Sequence, residues 1–148
     1  MAEYLANEVQ TVALNTPVIL ETSIPCNRGY VVHRNQTGIF ILRGATNQCF
    51  ARYQVTFNAN IAVPEGGTAG PIAIALTENG EPVLTSRAIA TPAAVGDYSN
   101  VTCTKIVDVP KGLGFNLAVE PVTPYNDGTT PAPAIDIQNS NLVITRIA

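Results

Sequence analysis

Few side chains in this chain are of a type that does chemistry, and none stands where it would need to. His33, in YVVHRN, is the only histidine. A lone imidazole beside an arginine has no second group to orient it, so it is not read as a catalytic base. One histidine also cannot supply a metal cluster. No Ser or Cys sits in a nucleophile elbow. The three cysteines, Cys26, Cys49 and Cys103, are too few and too scattered for a disulfide framework or a zinc site. They are expected as small buried hydrophobes. A Cys26–Cys49 bridge is the alternative, because both flank the Tyr30–Arg43 hairpin region. Gly66-Gly67 and Gly112-Leu113-Gly114 do not open a helix, so neither is expected to cradle phosphate. Asp97 beside Tyr98, and Asp127 beside Asn126, suit turns better than cation binding. The sequons Asn35-Gln36-Thr37 and Asn100-Val101-Thr102 would accept glycan in a secreted eukaryotic protein, and read here as chance matches. The expectation is a protein that is not an enzyme, with no catalytic, cofactor-binding or metal-binding residues.

The chain that carries these residues has 148 positions, one domain by length. A domain of this size buries roughly 68–70% of its unfolded surface, enough for a core without staples. Hydrophobic residues make up 46% of the chain and charged residues only 13%. Ordinary soluble domains are about 25% charged, so the surface must be rich in Thr, Asn, Gln and Ala. Such a surface suits a protein packed against copies of itself or held in a large assembly. The net charge of −3 gives no basic stripe for nucleic acid. MAEYLANEVQTVALN lacks the basic and apolar regions of a secretory signal, and no apolar run approaches the ~20 residues of a membrane span.

Alternation, not helical periodicity, runs along the sequence. Candidate strands are Val9–Leu14, Val18–Ile24, Tyr30–Arg34, Ile39–Arg43, Phe50–Val63, Ile72–Thr77, Val83–Thr91, Tyr98–Val109, Phe115–Val122, Ala134–Gln138 and Leu142–Ile147. Residues 1–8 read as a short N-terminal arm and 9–148 as the domain. Asn79-Gly80 is the strongest hairpin signal. Val63-Pro64-Glu65-Gly66 recurs as Val109-Pro110-Lys111-Gly112, each copy closing a long strand. Proline has no N–H for a ladder, and the glycine two residues on can take a positive φ. In the longest strand, Ala51, Tyr53, Val55, Phe57, Ala59, Ile61 and Val63 share the core face. Arg52, Gln54, Thr56, Asn58 and Asn60 share the other, which is either solvated or lines a polar subunit contact. Lys105 interrupts the apolar face of Tyr98–Val109, where its stem should pack while its amine reaches water. Pro121–Pro133 is the longest irregular stretch. Tyr125, Asn126 and Asp127 in it are the candidate recognition loop, where an exposed aromatic can stack on a sugar face.

The block YQVTFNANIAVPEGGTAGPIAIALTENGEPV, the block NVTCTKIVDVPKGLGFNLAVE and the closing DIQNSNLVITRIA together resemble a known family. It is the bacterial and phage branch of the tumour necrosis factor-like (complement globular head-like) jelly rolls. The chain is similar to the C-terminal domain of the collagen-like glycoprotein of the Bacillus exosporium, and to domains of phage head fibres and capsid decorations. The resemblance spans about Val9 to Ile147.

What the resemblance implies is an all-β, two-sheet jelly-roll sandwich of about ten antiparallel strands that forms a homotrimer. The first and last strands would lie together near the threefold axis. Leu142 and Ile144 would then face the core, and Val143, Thr145 and Ile147 a neighbouring subunit. Arg52, Gln54, Thr56 and Asn58 are the second candidate contact. No Gly-x-y stalk precedes the domain, which favours a stand-alone trimer. The function implied is a structural protein on the exterior of a phage particle, as head fibre or capsid decoration. Alternatives are a spore or exosporium surface protein, or a module binding glycan or receptor through distal loops. Expected partners are copies of itself, capsid or other particle-surface proteins, and in the last case a host surface glycan. Neither nucleic acid nor membrane is expected, and the expected location is the virion surface, or else a spore or cell surface.

Overall fold

Strict alternation leaves each strand with one apolar face, and two such sheets must close on each other to bury them. That is the architecture found. The structure is a computed structural model describing residues 1–24, 29–34, 36–127 and 133–148. In chain order the strands are β1 (Ala2–Ala6), β2 (Gln10–Val12), β3 (Thr22–Ile24), β4 (Val31–His33), β5 (Phe40–Arg43) and β6 (Phe50–Ala62). Then follow β7 (Ile72–Glu78), β8 (Glu81–Pro82), β9 (Ala88–Ala90), β10 (Ser99–Pro110), β11 (Gly114–Val122) and β12 (Ile135–Arg146). One sheet has the order β10-β6-β12-β1-β3, with β2 also on β12. The other has β4-β5-β11-β7-β8, with β9 also on β7. All pairings among the described residues are antiparallel.

The predicted core face of β6 is buried throughout, from Ala51 to Val63. Leu142 and Ile144 of β12 face the core as expected. Tyr53 is fully buried, and its hydroxyl donates to Arg43 O at 2.6 Å, so its polar end is satisfied. The Arg146 guanidinium lies 4.2 Å from the Tyr30 ring centroid. Its Nη1 is buried without a hydrogen-bond partner among the described residues, and the ring face supplies part of the compensation. Lys105 is half-buried on the core side of β10, opposite Val55, consistent with a packed stem on an edge strand.

Both Val-Pro-x-Gly copies form the same turn. Gly67 N–H donates to Pro64 O at 3.0 Å and Leu113 N–H to Pro110 O at 3.0 Å, with Gly66 at φ 84° and Gly112 at φ 81°. Because β6 and β10 are antiparallel, pairing Phe50 with Pro110, the two turns stand at opposite ends of the sheet. The second turn also locks onto Gly44, whose N–H donates to Leu113 O and whose carbonyl accepts from Gly112 N–H. A Cβ on Gly44 would sit 2.0 Å from Pro110 O, so the contact requires glycine. Asn79-Gly80 turns β7 into β8 with φ of 53° and 86°, as a type I′ hairpin demands.

Three expectations need correction. Residues 1–8, read as an arm, contain β1, a strand paired with β12 on one side and β3 on the other. Val83–Thr91 is not one strand, because a 3-10 turn at Leu84–Ser86 precedes β9. Buried Ser86 bonds both Val83 O and Leu76 N there, and this stabilises the turn against an extended run. The two C-terminal candidates are one strand, β12, with a bulge between Gln138 and Asn141. Two residues there oppose Ala59 alone, and Asn139 takes φ 53°. The extra residue moves the core face from Ile135 and Ile137 to Leu142 and Ile144. In total the described residues form twelve strands, five of them only two or three residues long.

Phe57 is fully buried and paired with Cys103 and Leu142 on its two flanks. Phe57→Ala should cost about 3–5 kcal/mol in chemical unfolding. Parent-like stability would mean that the register of β6 is wrong by one residue.

Candidate functional site

The groups first weighed for chemistry are structural. The His33 ring stacks on Phe40 with centroids 4.6 Å apart and meets Tyr4 at 5.1 Å, and its Nε2 is 2.8 Å from Thr37 O. Cys103 is buried, and desolvation pushes its thiol up to about 12, which suppresses the reactive thiolate. Cys49 is exposed next to the start of β6, against the expectation of a buried thiol; its suggested partner Cys26 lies outside the described residues, as does Asn35 of the first sequon. No cluster of His, Cys, Asp or Glu suited to a metal ion occurs among the described residues. No described helix is long and apolar enough to cross a membrane.

The two sets of residues singled out for subunit contact prove to be one surface. Val143 pairs with Thr56 and Thr145 with Gln54 across β12 and β6. Ile147 N–H donates to Arg52 O at 2.9 Å, carrying the alignment past the strand end. The patch extends over β10 through Thr102, Thr104 and Ile106, opposite Asn58, Thr56 and Gln54, and over β1 through Glu3 and Leu5. The β10 residues were signalled by the alternation of TCTKIVD; the β1 residues lay in the presumed arm.

This face is built from uncharged hydrogen-bonding side chains that satisfy one another. Asn58 Nδ2 donates to Thr102 Oγ1 at 2.8 Å and Asn100 Oδ1 at 3.1 Å. Asn100 Nδ2 returns bonds to Asn58 Oδ1 and Asn60 Oδ1. Charge on this face is sparse and absent from its β6 and β12 centre. Arg52 holds Asp108 in a two-pronged pair at 2.7 and 2.9 Å at one end, and this hydrogen bonding draws the Asp108 carboxyl below its usual range. Asp136 accepts from Thr11 at the other end, and Glu3 from Asn141 toward β1.

The candidate recognition loop begins where β11 ends. Tyr125 is 43% exposed. Asn126 is tethered, its Oδ1 accepting from Arg87 Nη2 at 2.6 Å, while Arg87 Nη1 donates to Thr123 O. Asp127 also has a partner. Residues 128–132 of this loop lie outside the described residues.

A further site went unread in the sequence. On the outer face of the second sheet, Asn116, Ala118 and Glu120 of β11 line a recess of about 250 Å³ with Thr77, Asn79, Gly80, Pro17 and Ile39. Glu120 is only 7% exposed. No described residue hydrogen-bonds or ion-pairs with its carboxylate, and burial raises its pKa. Asn79 Oδ1 is occupied, accepting from Asn116 N–H at 2.9 Å.

No protein-family model matches the chain. No curated protein matches it either. Solved structures do. The globular domain of zebrafish complement 1qA protein matches with a TM-score of 0.58 at 15% identity, covering 96% of this chain and 94% of that one. The Eiger tumour necrosis factor of S. frugiperda matches with a TM-score of 0.62 at 10% identity, covering 100% and 92%. An EclA C-terminal domain, titled a sugar-binding protein, aligns at 0.35 and 16% identity over 82% and 87%. The chain therefore has the tumour necrosis factor-like, complement globular head-like jelly-roll fold. At these identities the likeness is one of fold.

Unfolded, a glutamic acid titrates near ~4.3; folded, Glu120 holds its proton to higher pH. Its ionisation therefore costs stability that is untouched below the unfolded pKa and lost in full above the folded one. Glu120→Gln should raise Tm at pH 8 and change it little at pH 3.5. Calorimetry showing no gain at pH 8 would contradict the burial assigned to this carboxyl.

Proposed function

We propose that the chain is a non-enzymatic structural module that works as a closed homotrimer on the exterior of a phage particle, as head fibre or capsid decoration. The observation that carries the trimer is the outer face of the β10-β6-β12-β1 sheet. Its middle is uncharged, and many of its amides and hydroxyls are already paired with one another. Desolvating paired neutral groups costs far less than stripping charges, so a neighbouring copy can cover this face without an ionic penalty. Exposed Ile106, Ile24 and Ile147 add apolar area at its edges. A threefold ring closes on itself and leaves no open end for fibre growth. Support for the phage particle comes from the resemblance in the long β6 and β10 blocks and from the low charge of the surface.

Sedimentation of the purified chain should give three times 15.6 kDa, persisting on dilution. Thr56→Arg places a cation in the middle of the patch and should yield a monomer with the parent's circular dichroism. A parent protein that sediments as a monomer sinks the trimer. For the particle, mass spectrometry of purified virions should detect the chain at many copies; its absence would refute the location.

A further inference from the structure

The recess around Glu120 lies on the sheet opposite the proposed subunit contact, and its lining shares no residue with that contact. Burial without a partner is costly for a carboxylate. The carboxylate oxygens still reach the recess, and the other lining groups say what could meet them there. Asn79 has its carbonyl engaged by Asn116 N–H, leaving its amide NH2 to donate. Thr77 Oγ1 spends its proton on Ala118 O at 3.4 Å, leaving an accepting oxygen. The Asn116 side chain can do both. The recess thus offers donors and acceptors side by side, with a single negative charge. Pro17, Ile39 and Ala118 supply an apolar wall.

A cation is a poor match. An ammonium group donates only, and would meet the Asn79 NH2 head-on. A divalent ion would find one carboxylate and no second anionic ligand in the lining. A hydroxyl group donates and accepts, so hydroxyls at the two ends of a ring can bond the Glu120 carboxylate and the Asn79 amide, which stand well apart along β11. The C–H face of a sugar ring would cover the apolar wall. The volume of about 250 Å³ falls below the usual range for drug-sized ligands and suits a single ring.

We propose that the recess lined by Glu120, Asn116, Asn79 and Thr77 is a binding site for one pyranose residue, held through hydroxyl groups at opposite ends of the ring.

The test is saturation-transfer NMR on the full chain with methyl glycosides of glucose, galactose and mannose, and with N-acetylglucosamine. At least one should bind with a Kd of about 1 mM, as expected for a single small ring. Glu120→Ala should weaken it at least about tenfold, the loss of a charge-assisted hydrogen bond. Because ionised Glu120 opposes folding at neutral pH, this variant is expected to stay folded, which its Tm will check. Asn116→Ala, at an exposed position, should also weaken binding and guards against a folding artefact. Three results would overturn the site: no binding of any of the four sugars, binding unchanged in Glu120→Ala, or binding abolished by Tyr125→Ala alone. The last would move recognition to the loop. Preferential binding of methylammonium over the sugars would overturn the ligand class.

Discussion

The thirteen-residue strand β6 sets the sandwich, because it is held along nearly its whole length on both edges. Its inward side chains, from Ala51 to Ile61, form the middle of the core. With period two, fixing those residues inward fixes Arg52, Gln54, Thr56, Asn58 and Asn60 outward. A slip of one residue would expose Tyr53 and Phe57 and bury Arg52. Its neighbours accommodate it in different ways. β10 runs beside it in unbroken register from Ser99 to Pro110. β12 reaches the same match only by bulging at Asn139, where Asn139 Nδ2 bonds Asn7 Oδ1 and Ser140 Oγ bonds Ala6 O. The bulge thus ties the C-terminal strand to the chain just after β1 as well as correcting its phase.

The outward face inherits its chemistry from this arrangement. Thr, Asn and Gln on neighbouring strands stand directly opposite one another, so each can spend its hydrogen bonds sideways within the sheet. A surface whose polar groups are already engaged is only weakly held by water. That explains how a chain with 13% charged residues keeps a polar exterior while leaving one face inexpensive to cover. The Arg52–Asp108 pair, well exposed at the margin, adds little to stability.

Strands whose apolar face is long were legible, since seven alternating positions in β6 leave no other period to fit. β1 was not. Of AEYLA, Ala2 and Tyr4 are buried and Ala6 packs partly against the core, but with two of the three being alanine the alternation is faint, and its partners are remote in sequence, so nothing local announces it. The bulge in β12 hid for a related reason. Asn-Ser-Asn reads as a turn by composition, and only the pairing with Ala59 keeps it in a strand. The contact patch was legible in two halves, on β6 and β12, but their adjacency belongs to the sheet order. Glu120 was illegible, because a lone acid in FNLAVEPV looks the same whether solvent or protein covers it.

What covers Glu120 is a matter of side-chain size and of chain brought from elsewhere. Ala73, Ala75, Thr77 and Ala118 leave the outer face of β7 and β11 shallow, and Pro17 and Ile39 form part of the wall. Val18 N–H is pinned to Val119 O at 2.8 Å, which places Pro17 beside β11. Gly38 lets this segment approach, since a Cβ there would lie 2.1 Å from Val18 O. The recess is therefore made of two strands, the tight Asn79-Gly80 turn and a pinned crossing, and Asn79 is held by its bond from Asn116 N–H before a ligand arrives. Rigidity of this kind removes the ordering cost of binding, while the buried carboxylate keeps a cost in the empty state that a hydroxyl can relieve. A purely structural sheet face has no reason to retain an acid there: glutamine would fill the same space and oppose folding less. The acid is the one feature of the second sheet that packing alone does not account for.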